Sequence, residues 1–305
     1  MIWPEPLVLH ALLPFNLKEA KSEYYPRWRG WRETPGIDLN GNNKNKMSLT
    51  KTYIQKCRAI ADKIEAQEKQ ITQVSKWFAE SILAGRMVHV FGTGHSRIMV
   101  EEMWPRYGSF PGFNPIVELS LTYHNNVVGA NGQRQAMFLE NVTGLAERIL
   151  RNFGLDKKDS ALVVSSSGCN IVPIEMAELF QKKGIRVVAL VTKDHLAASD
   201  SKRADGKKLS DFADLVLDSG APAGDSMITV PGLDTPVSPG STTGGIMIIN
   251  AIKAEVAGLL TAAGKPPKVL TANCVAGPEK AKQLFESAYD EHAHRLAELF
   301  RNAGN

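Results

Sequence analysis

Five short apolar runs, separated by helical segments, constrain the fold of this chain more than any other feature. They are typical of buried strands and lie at 87–91, 115–120, 161–168, 185–192 and 213–220. Strands that are separated by helices cannot pair as tight hairpins, so each pair is connected by a crossover. The pattern therefore predicts an α/β protein with a parallel sheet that is covered by helices on both faces.

The helices are predicted from apolar spacing and from end signals. Ser48 is a candidate N-cap, and apolar residues recur at helical spacing until Gly85, which predicts one long N-terminal helix or two in line. Further helices are predicted at 97–103, 133–153, 170–183, 241–263 and 278–300. The last of these is a C-terminal helix that follows the final crossover.

Composition excludes several classes of protein. The chain has 305 residues, 43% of them hydrophobic, and 36 basic against 32 acidic residues, so its charge favours neither nucleic acid nor a membrane as a partner. Its three cysteines form no C-x-x-C pair, which indicates neither a disulfide framework nor a zinc site. No apolar stretch approaches 18 residues, so no membrane span is predicted. A reducing cytoplasm is the expected compartment.

Residues 1–46 differ from the rest of the chain, because five prolines and an aromatic cluster, YYPRWRGW, interrupt any helical pattern. We expect a disordered extension there, followed by a single domain over 47–305.

Three loops rich in glycine and hydroxyl side chains lie at the carboxyl ends of predicted strands or at the start of a helix. They are GTGHS (92–96), SSSGCN (165–170) and SPGSTTGG (238–245). In an open parallel sheet the carboxyl ends of the strands share one edge, where ligands bind. The three loops are therefore expected to form one site.

Nucleotide and nucleophile interpretations of these loops are weak. Gly92 and Gly94 could begin a dinucleotide fingerprint with Glu118 as the ribose ligand, but Arg97 stands where the third glycine should be. No loop has the lysine pattern of a P-loop, and no serine lies in a G-x-S-x-G elbow. Anion binding remains, since helix starts expose N–H groups and hydroxyls add donors. Ordinary N-capping is the structural alternative for each serine and threonine.

In this order and spacing, GTGHS, VVSSSGCN and SPGSTTGG resemble the sugar isomerase (SIS) domain, in its phosphoheptose-isomerase-like branch. GKKLSDFADLVLDSGAPAGD (206–225) and PPKVLTANCVAGPEK (266–280) are similar to a little-characterised subgroup. The resemblance implies a flavodoxin-like, three-layer fold with a five-stranded parallel sheet in the order 2-1-3-4-5. It also implies a homodimer or homotetramer.

The resemblance further implies which residues contact a phosphosugar. The candidate substrate-binding residues are Gly94, Ser96, Ser165, Ser166, Ser167, Asn170, Ser241, Thr242 and Thr243. Some phosphoheptose isomerases use zinc, but their late histidine has no clear match in this chain. No metal and no cofactor are therefore expected.

Aldose–ketose isomerisation needs one base to carry a proton between neighbouring carbons. We favour Glu140, about 10 Å into its helix, over Glu255, which lies about 20 Å from the start of its own helix. Periodicity, however, places Glu255 on an apolar stripe, where the pKa would be raised, and Glu140 on a polar face beside Gly144. Glu102 is a third candidate. His124 is the candidate proton relay, and His195 leaves another strand at the same edge.

The expected function is a sugar-phosphate isomerase that works through an enediolate. Two alternatives use the same phosphate site. A phosphosugar lyase or etherase would eliminate a substituent, and a non-catalytic sensor would bind the phosphosugar without turnover.

Overall fold

The computed structural model describes residues 48–122, 132–301 and 303. The expected disordered extension over 1–46 lies outside the described residues, and the domain boundary at residue 47 stays a prediction.

A single five-stranded parallel sheet forms the centre of the fold. Its strands are β1 (Val88–Gly92), β2 (Phe113–Ile116), β3 (Ser160–Val164), β4 (Arg186–Val191) and β5 (Leu215–Asp218). Their order is β2-β1-β3-β4-β5, and all four neighbouring pairs are parallel. The register between β1 and β3 sets Val88 opposite Ser160 and Gly92 opposite Val164. The predicted fold class and strand order are confirmed.

Eleven α-helices lie in the described residues, most of them on the two faces of this sheet. They are α1 (Leu49–Glu65), α2 (Glu68–Leu83), α3 (Arg97–Glu102), α4 (Leu119–Thr122), α5 (Gln133–Leu139), α6 (Leu145–Leu150), α7 (Ile171–Lys182), α8 (Lys193–Ala198), α9 (Ser241–Ala262), α10 (Asn273–Ala276) and α11 (Pro278–Arg301). Ser48 caps α1, since its hydroxyl accepts a hydrogen bond from the Lys51 N–H at 3.2 Å.

Two hydrophobic cores, one on each face, follow from the alternation of side chains along the strands. Leu162 and Val164 face a core that α1, α2, α3 and α9 complete, whereas Ala161 and Val163 face a core that α6 and α7 complete. Successive strand residues thus point to opposite faces of the sheet, and both faces are buried under helices, as is usual for a parallel sheet.

α9 is long and apolar enough to cross a membrane by length and composition alone, with a mean hydropathy of 1.5 over its best window. It packs against α2 in one of the two cores, where Ile248, Ile252 and Val256 are fully buried. Its apolar sequence is thus explained by core packing.

Two predicted elements, the second strand and the loop before α9, differ from the structure. The second strand is Phe113–Ile116 rather than 115–120, and α4 begins at Leu119. The N-terminal segment forms two helices, one of the two arrangements predicted, and at the break between α1 and α2 the Gln67 side chain binds both backbone groups of Asp218 at 2.8–2.9 Å. A two-stranded hairpin, β6 (Ser226–Ile228) and β7 (Val237–Pro239), occupies the predicted loop before α9.

The predicted helix over 133–153 is wrong, because it is divided into α5 and α6. Gly144 lies between them with φ 82°, a left-handed conformation that a helix interior does not allow. Its N–H donates to Glu175 Oε2 of α7 at 2.9 Å. The break therefore follows from a tertiary contact, and it places Glu140 at the C-terminal end of α5.

Candidate functional site

The carboxyl edge of the sheet collects polar side chains from four strands and from α9. A small pocket, called here the edge pocket, is lined by Ser96, Ser166, Thr192, Ser219 and Ser241. Three of the predicted ligand residues, one from each of the three loops, therefore meet in one place.

The GTGHS turn is held tightly against itself. A Cβ at Gly92 would lie 2.9 Å from the Ser96 carbonyl oxygen, and Gly94 has φ 53°. The Ser96 N–H donates to the Thr93 carbonyl at 3.0 Å. The glycines are thus required by the turn, which buries Thr93 and leaves Ser96 at the edge pocket.

The SSSGCN loop forms a cradle of N–H groups after β3. Ser165 Oγ accepts from the Gly168 N–H at 3.2 Å, and Ser167 Oγ accepts from the Cys169 N–H at 3.3 Å. Because each hydroxyl accepts here, its own hydrogen stays available to a ligand. Among the described residues, the N–H groups of Ser167, Asn170 and Ile171 have no protein acceptor. This arrangement can bind an anion.

A chain of hydroxyls links this loop to the neighbouring strands. Ser166 Oγ lies 3.1 Å from Thr192 Oγ1, which lies 2.6 Å from Ser219 Oγ. Ser166 Oγ is also 3.5 Å from His195 Nδ1. The structure thus places His195, which the sequence suggested as an edge histidine, beside the serine loop.

The start of α9 differs from an open anion site, because an internal carboxylate occupies it. Asp225 Oδ1 accepts from the N–H groups of Gly240 and Ser241 at 3.0 and 2.6 Å, and Ser241 Oγ donates to Asp225 Oδ2 at 2.6 Å. Thr243 Oγ1 lies 3.4 Å from the Tyr53 hydroxyl of α1. Thr242 is half-buried. Of the three predicted residues here, only Ser241 lines the edge pocket.

Glu140 is buried, which corrects the expectation of a polar helix face. Its side chain lies at the end of α5, and Thr93 Oγ1 donates to Glu140 Oε2 at 2.6 Å. Burial raises the pKa of Glu140, while hydrogen bonds from Thr93 and Asn170 and the charge of Lys202 oppose that rise. A buried carboxyl group with a raised pKa is a candidate base for proton transfer.

Glu140 is also fixed to the serine loop through its backbone. Its carbonyl oxygen accepts from the Val172 N–H in the first turn of α7 at 2.9 Å. Asn170, the residue that precedes α7, makes no side-chain cap, and its amide instead serves the Glu140 carboxyl group. The candidate base and the candidate phosphate loop are therefore joined by hydrogen bonds from both backbone and side chain.

The rival carboxylates are placed differently. Glu255 is exposed, so the prediction that it lies in an apolar environment is wrong. Glu102 lies 3.1 Å from the buried Lys253 Nζ and 2.8 Å from Arg106. Burial opposes ionisation of Glu102, but these two cations outweigh it and lower the pKa. His124 lies outside the described residues.

Three residues at this edge were not predicted as site residues. Thr93 donates a hydrogen bond to Glu140, the charge of Lys202 lowers the pKa of Glu140, and Asp225 accepts a hydrogen bond from Ser241. Glu118, the candidate ribose ligand of the dinucleotide interpretation, follows β2 and has a pKa raised by burial. Thr93 lies inside GTGHS, and Asp225 ends GAPAGD, so both belong to motifs of the family resemblance, but neither was expected to contact the substrate. Lys202 carries no comparable signal.

Across 48–122 and 132–301, no group of three histidine, cysteine or carboxylate side chains could hold a metal ion.

Known proteins resemble this chain in sequence and in fold. The SIS domain profile matches residues 52–192. A UPF0309 protein of Brucella canis is 32% identical over 241 residues, which cover 79% of this chain and 95% of the relative. One from Brucella anthropi is 33% identical over 224 residues, covering 73% and 89%.

Solved structures are similar at lower identity. A phosphoheptose isomerase from Francisella tularensis has a TM-score of 0.44 at 14% identity, covering 68% of this chain and 95% of its own. The Vibrio vulnificus NanR protein, complexed with ManNAc-6P, has a TM-score of 0.40 at 15% identity, covering 80% and 69%. On the sequence matches, with the five-stranded sheet and the loops at its carboxyl edge, this chain belongs to the UPF0309 protein family and carries a SIS domain.

Proposed function

We propose that this protein binds a sugar phosphate at the SSSGCN loop and interconverts its aldose and ketose forms, with Glu140 as the base. The observation that supports this most directly is the position of Glu140. A buried carboxyl group with a raised pKa is joined to the phosphate loop by Asn170 and by the Val172 N–H.

The chemistry follows from these positions. The serine hydroxyls and the free N–H groups of the loop bind the phosphate. Glu140 removes the proton from C2 of the open-chain aldose, the electron pair of that C–H bond forms the C1–C2 double bond, and the C1 oxygen takes the negative charge. The O2 hydroxyl proton then passes to the C1 oxygen, the C2–O double bond forms, and Glu140 delivers a proton to C1, which gives the ketose. While it is held on Glu140, the proton can exchange with solvent, so deuterium enters in D2O. Thr93 holds the carboxyl group in one orientation throughout.

No redox cofactor takes part in this sequence of steps, because the electron pair of the broken C–H bond stays within the substrate. We further propose that the protein works in the cytoplasm as a homo-oligomer.

Incubation with sugar phosphates in D2O tests the proposal. Binding of hexose, pentose or heptose phosphates is measured by calorimetry, and deuterium entry at C1 or C2 by NMR. Binding with exchange supports the isomerase. Binding with loss of a substituent instead indicates the lyase or etherase, and binding with neither indicates a sensor. If no sugar phosphate binds, the proposal fails.

A further inference from the structure

Asp225 makes contacts that neither the SIS resemblance nor the proposed chemistry explains. Its carboxylate accepts hydrogen bonds from the N–H groups of Gly240 and Ser241 and from the Ser241 hydroxyl, with donor–acceptor distances of 2.6 to 3.0 Å. α9 has no side-chain cap of its own, so Asp225 supplies the anion that a helix start attracts.

The position of this carboxylate is set by the backbone around it. Asp225 has φ 59°, a conformation that few residues other than glycine adopt. The hairpin pairs Ser226 with Pro239, which brings Asp225 next to Gly240 although 15 residues separate them. The carboxylate is therefore held at α9 by the fold and not by a side-chain rotamer alone.

The contact bears directly on the ligand site, because Ser241 lines the edge pocket together with Ser166 of the serine loop. With its hydrogen donated to Asp225, the Ser241 hydroxyl can only accept from a ligand. A phosphate has no strong donor at neutral pH and would face the negative charge of Asp225. A sugar hydroxyl or an ammonium group can donate to the same oxygen.

We infer that Asp225 is a positioning and specificity residue. It keeps phosphate away from the start of α9, so the phosphate of the ligand must occupy the SSSGCN loop, and the α9 end of the pocket receives a neutral or cationic group. This inference rests on the proposed function, since it sets how a sugar phosphate lies relative to Glu140.

Counting bound inorganic phosphate by calorimetry tests the inference on the full chain. The wild-type protein is expected to bind one phosphate, and a Ser165→Ala/Ser167→Ala variant none. Asp225→Gly, which suits the positive φ, frees three donors and is expected to bind a second phosphate. Asp234→Gly, an exposed residue of the hairpin loop, is the matched control and should bind one.

A second variant covers the case in which Asp225→Gly does not fold. Asp225→Asn keeps an acceptor for the α9 N–H groups and tolerates the positive φ. Loss of the negative charge should tighten phosphate binding at the serine loop by about threefold or more.

The two proposals fail in different ways. A phosphate that survives in the Ser165→Ala/Ser167→Ala variant but is lost when Ser241 is changed to alanine would show an open α9 site and overturn the inference. An unchanged stoichiometry in Asp225→Gly together with unchanged affinity in Asp225→Asn would also overturn it. A wild-type protein that binds no phosphate, while Asp225→Gly gains one, would support the exclusion of phosphate from α9 by Asp225 but contradict the phosphate site proposed at the SSSGCN loop.

Discussion

At the scale of single residues, the properties of buried carboxyl groups depend on the donors that reach them. Glu140 and Asp159 are both buried, yet the pKa of Glu140 is raised and that of Asp159 is lowered to about 2. Burial raises the pKa of each. Asp159, however, lies 2.8 Å from Arg86 and 3.1 Å from His89 Nε2. Glu140 instead accepts hydrogen bonds from the Thr93 hydroxyl and the Asn170 amide, and Lys202 acts on it through its charge alone. One group is suited to carry a proton and the other to stay ionised.

Thr93→Val tests the hydrogen bond to Glu140. The hydrogen bond lowers the pKa of Glu140 and so partly offsets the effect of burial. Its removal should raise that pKa further, so the acidic limb of the deuterium-exchange rate should move to higher pH. Thr143→Val, an exposed position three residues from Glu140, should leave the pH profile unchanged. An identical profile in both variants would contradict the role given to Thr93.

Asp159 should contribute to stability in a defined pH range. Because its folded pKa is about 2 and its ordinary value is 3.8, the contribution is complete above about pH 4 and is lost as the pH falls toward 2. Its size is on the order of 2 kcal/mol. Urea unfolding at pH 7, 4 and 2.5 should show Asp159→Asn approaching the wild type in stability at the lowest pH. A constant difference would count against this account.

At the scale of elements, close packing explains the glycine pair that opens α9. A Cβ at Gly244 would overlap the Ser219 carbonyl oxygen, and one at Gly245 would lie 2.9 Å from Met99 Sδ. The small residues of SPGSTTGG therefore bring the helix against the end of β5. They serve helix packing, whereas the sequence pattern alone suggested access for a phosphate.

A pair of alanine substitutions on α9 separates packing from helix propensity. Gly244→Ala should destabilise the protein by about 2 kcal/mol or more, since backbone must move to admit the Cβ. Gly258→Ala, where no atom lies within 4 Å, should stabilise it by about 0.5–1 kcal/mol. Thermal unfolding measures both. Equal effects in the two variants would contradict the packing explanation.

Local patterns predicted most elements, but contacts between distant residues decided the site. The apolar runs indicated all five strands of the central sheet, and the glycine–hydroxyl loops indicated the edge where ligands are expected to bind. The break at Gly144 is held by Glu175, and the carboxyl group of Glu140 is held by a hydrogen bond from Thr93, 47 residues earlier. Asp225 reaches Ser241 only because a hairpin forms between them. Such pairs leave no periodic signal in a single sequence.

At the scale of the whole molecule, an exposed apolar surface lies beside the candidate base. Leu119 on α4 and Met137 and Phe138 on α5 are 54–70% exposed, and the two helices pack together. Glu140 ends the same helix that presents Phe138. Contiguous exposed apolar side chains commonly mark interaction surfaces.

We predict that a second copy of the chain covers this surface. Phe138→Glu should lower the molar mass measured by light scattering and slow deuterium exchange, because it disturbs the helix that positions Glu140. Val275→Glu, at an apolar residue that is 78% exposed on α10, should change neither. A monomeric wild-type protein, or dissociation by Val275→Glu alone, would contradict this prediction.

The central claim is that Glu140 carries the proton, and solvent exchange in Glu140→Gln tests it most directly. With a sugar phosphate that binds the wild type, deuterium entry at C1 or C2 should fall by about 10³-fold in Glu140→Gln, while calorimetry shows nearly unchanged binding. Glu147→Gln, an exposed residue of α6, should exchange like the wild type. Exchange at the wild-type rate in Glu140→Gln would contradict the claim and direct attention to Glu255 or Glu102.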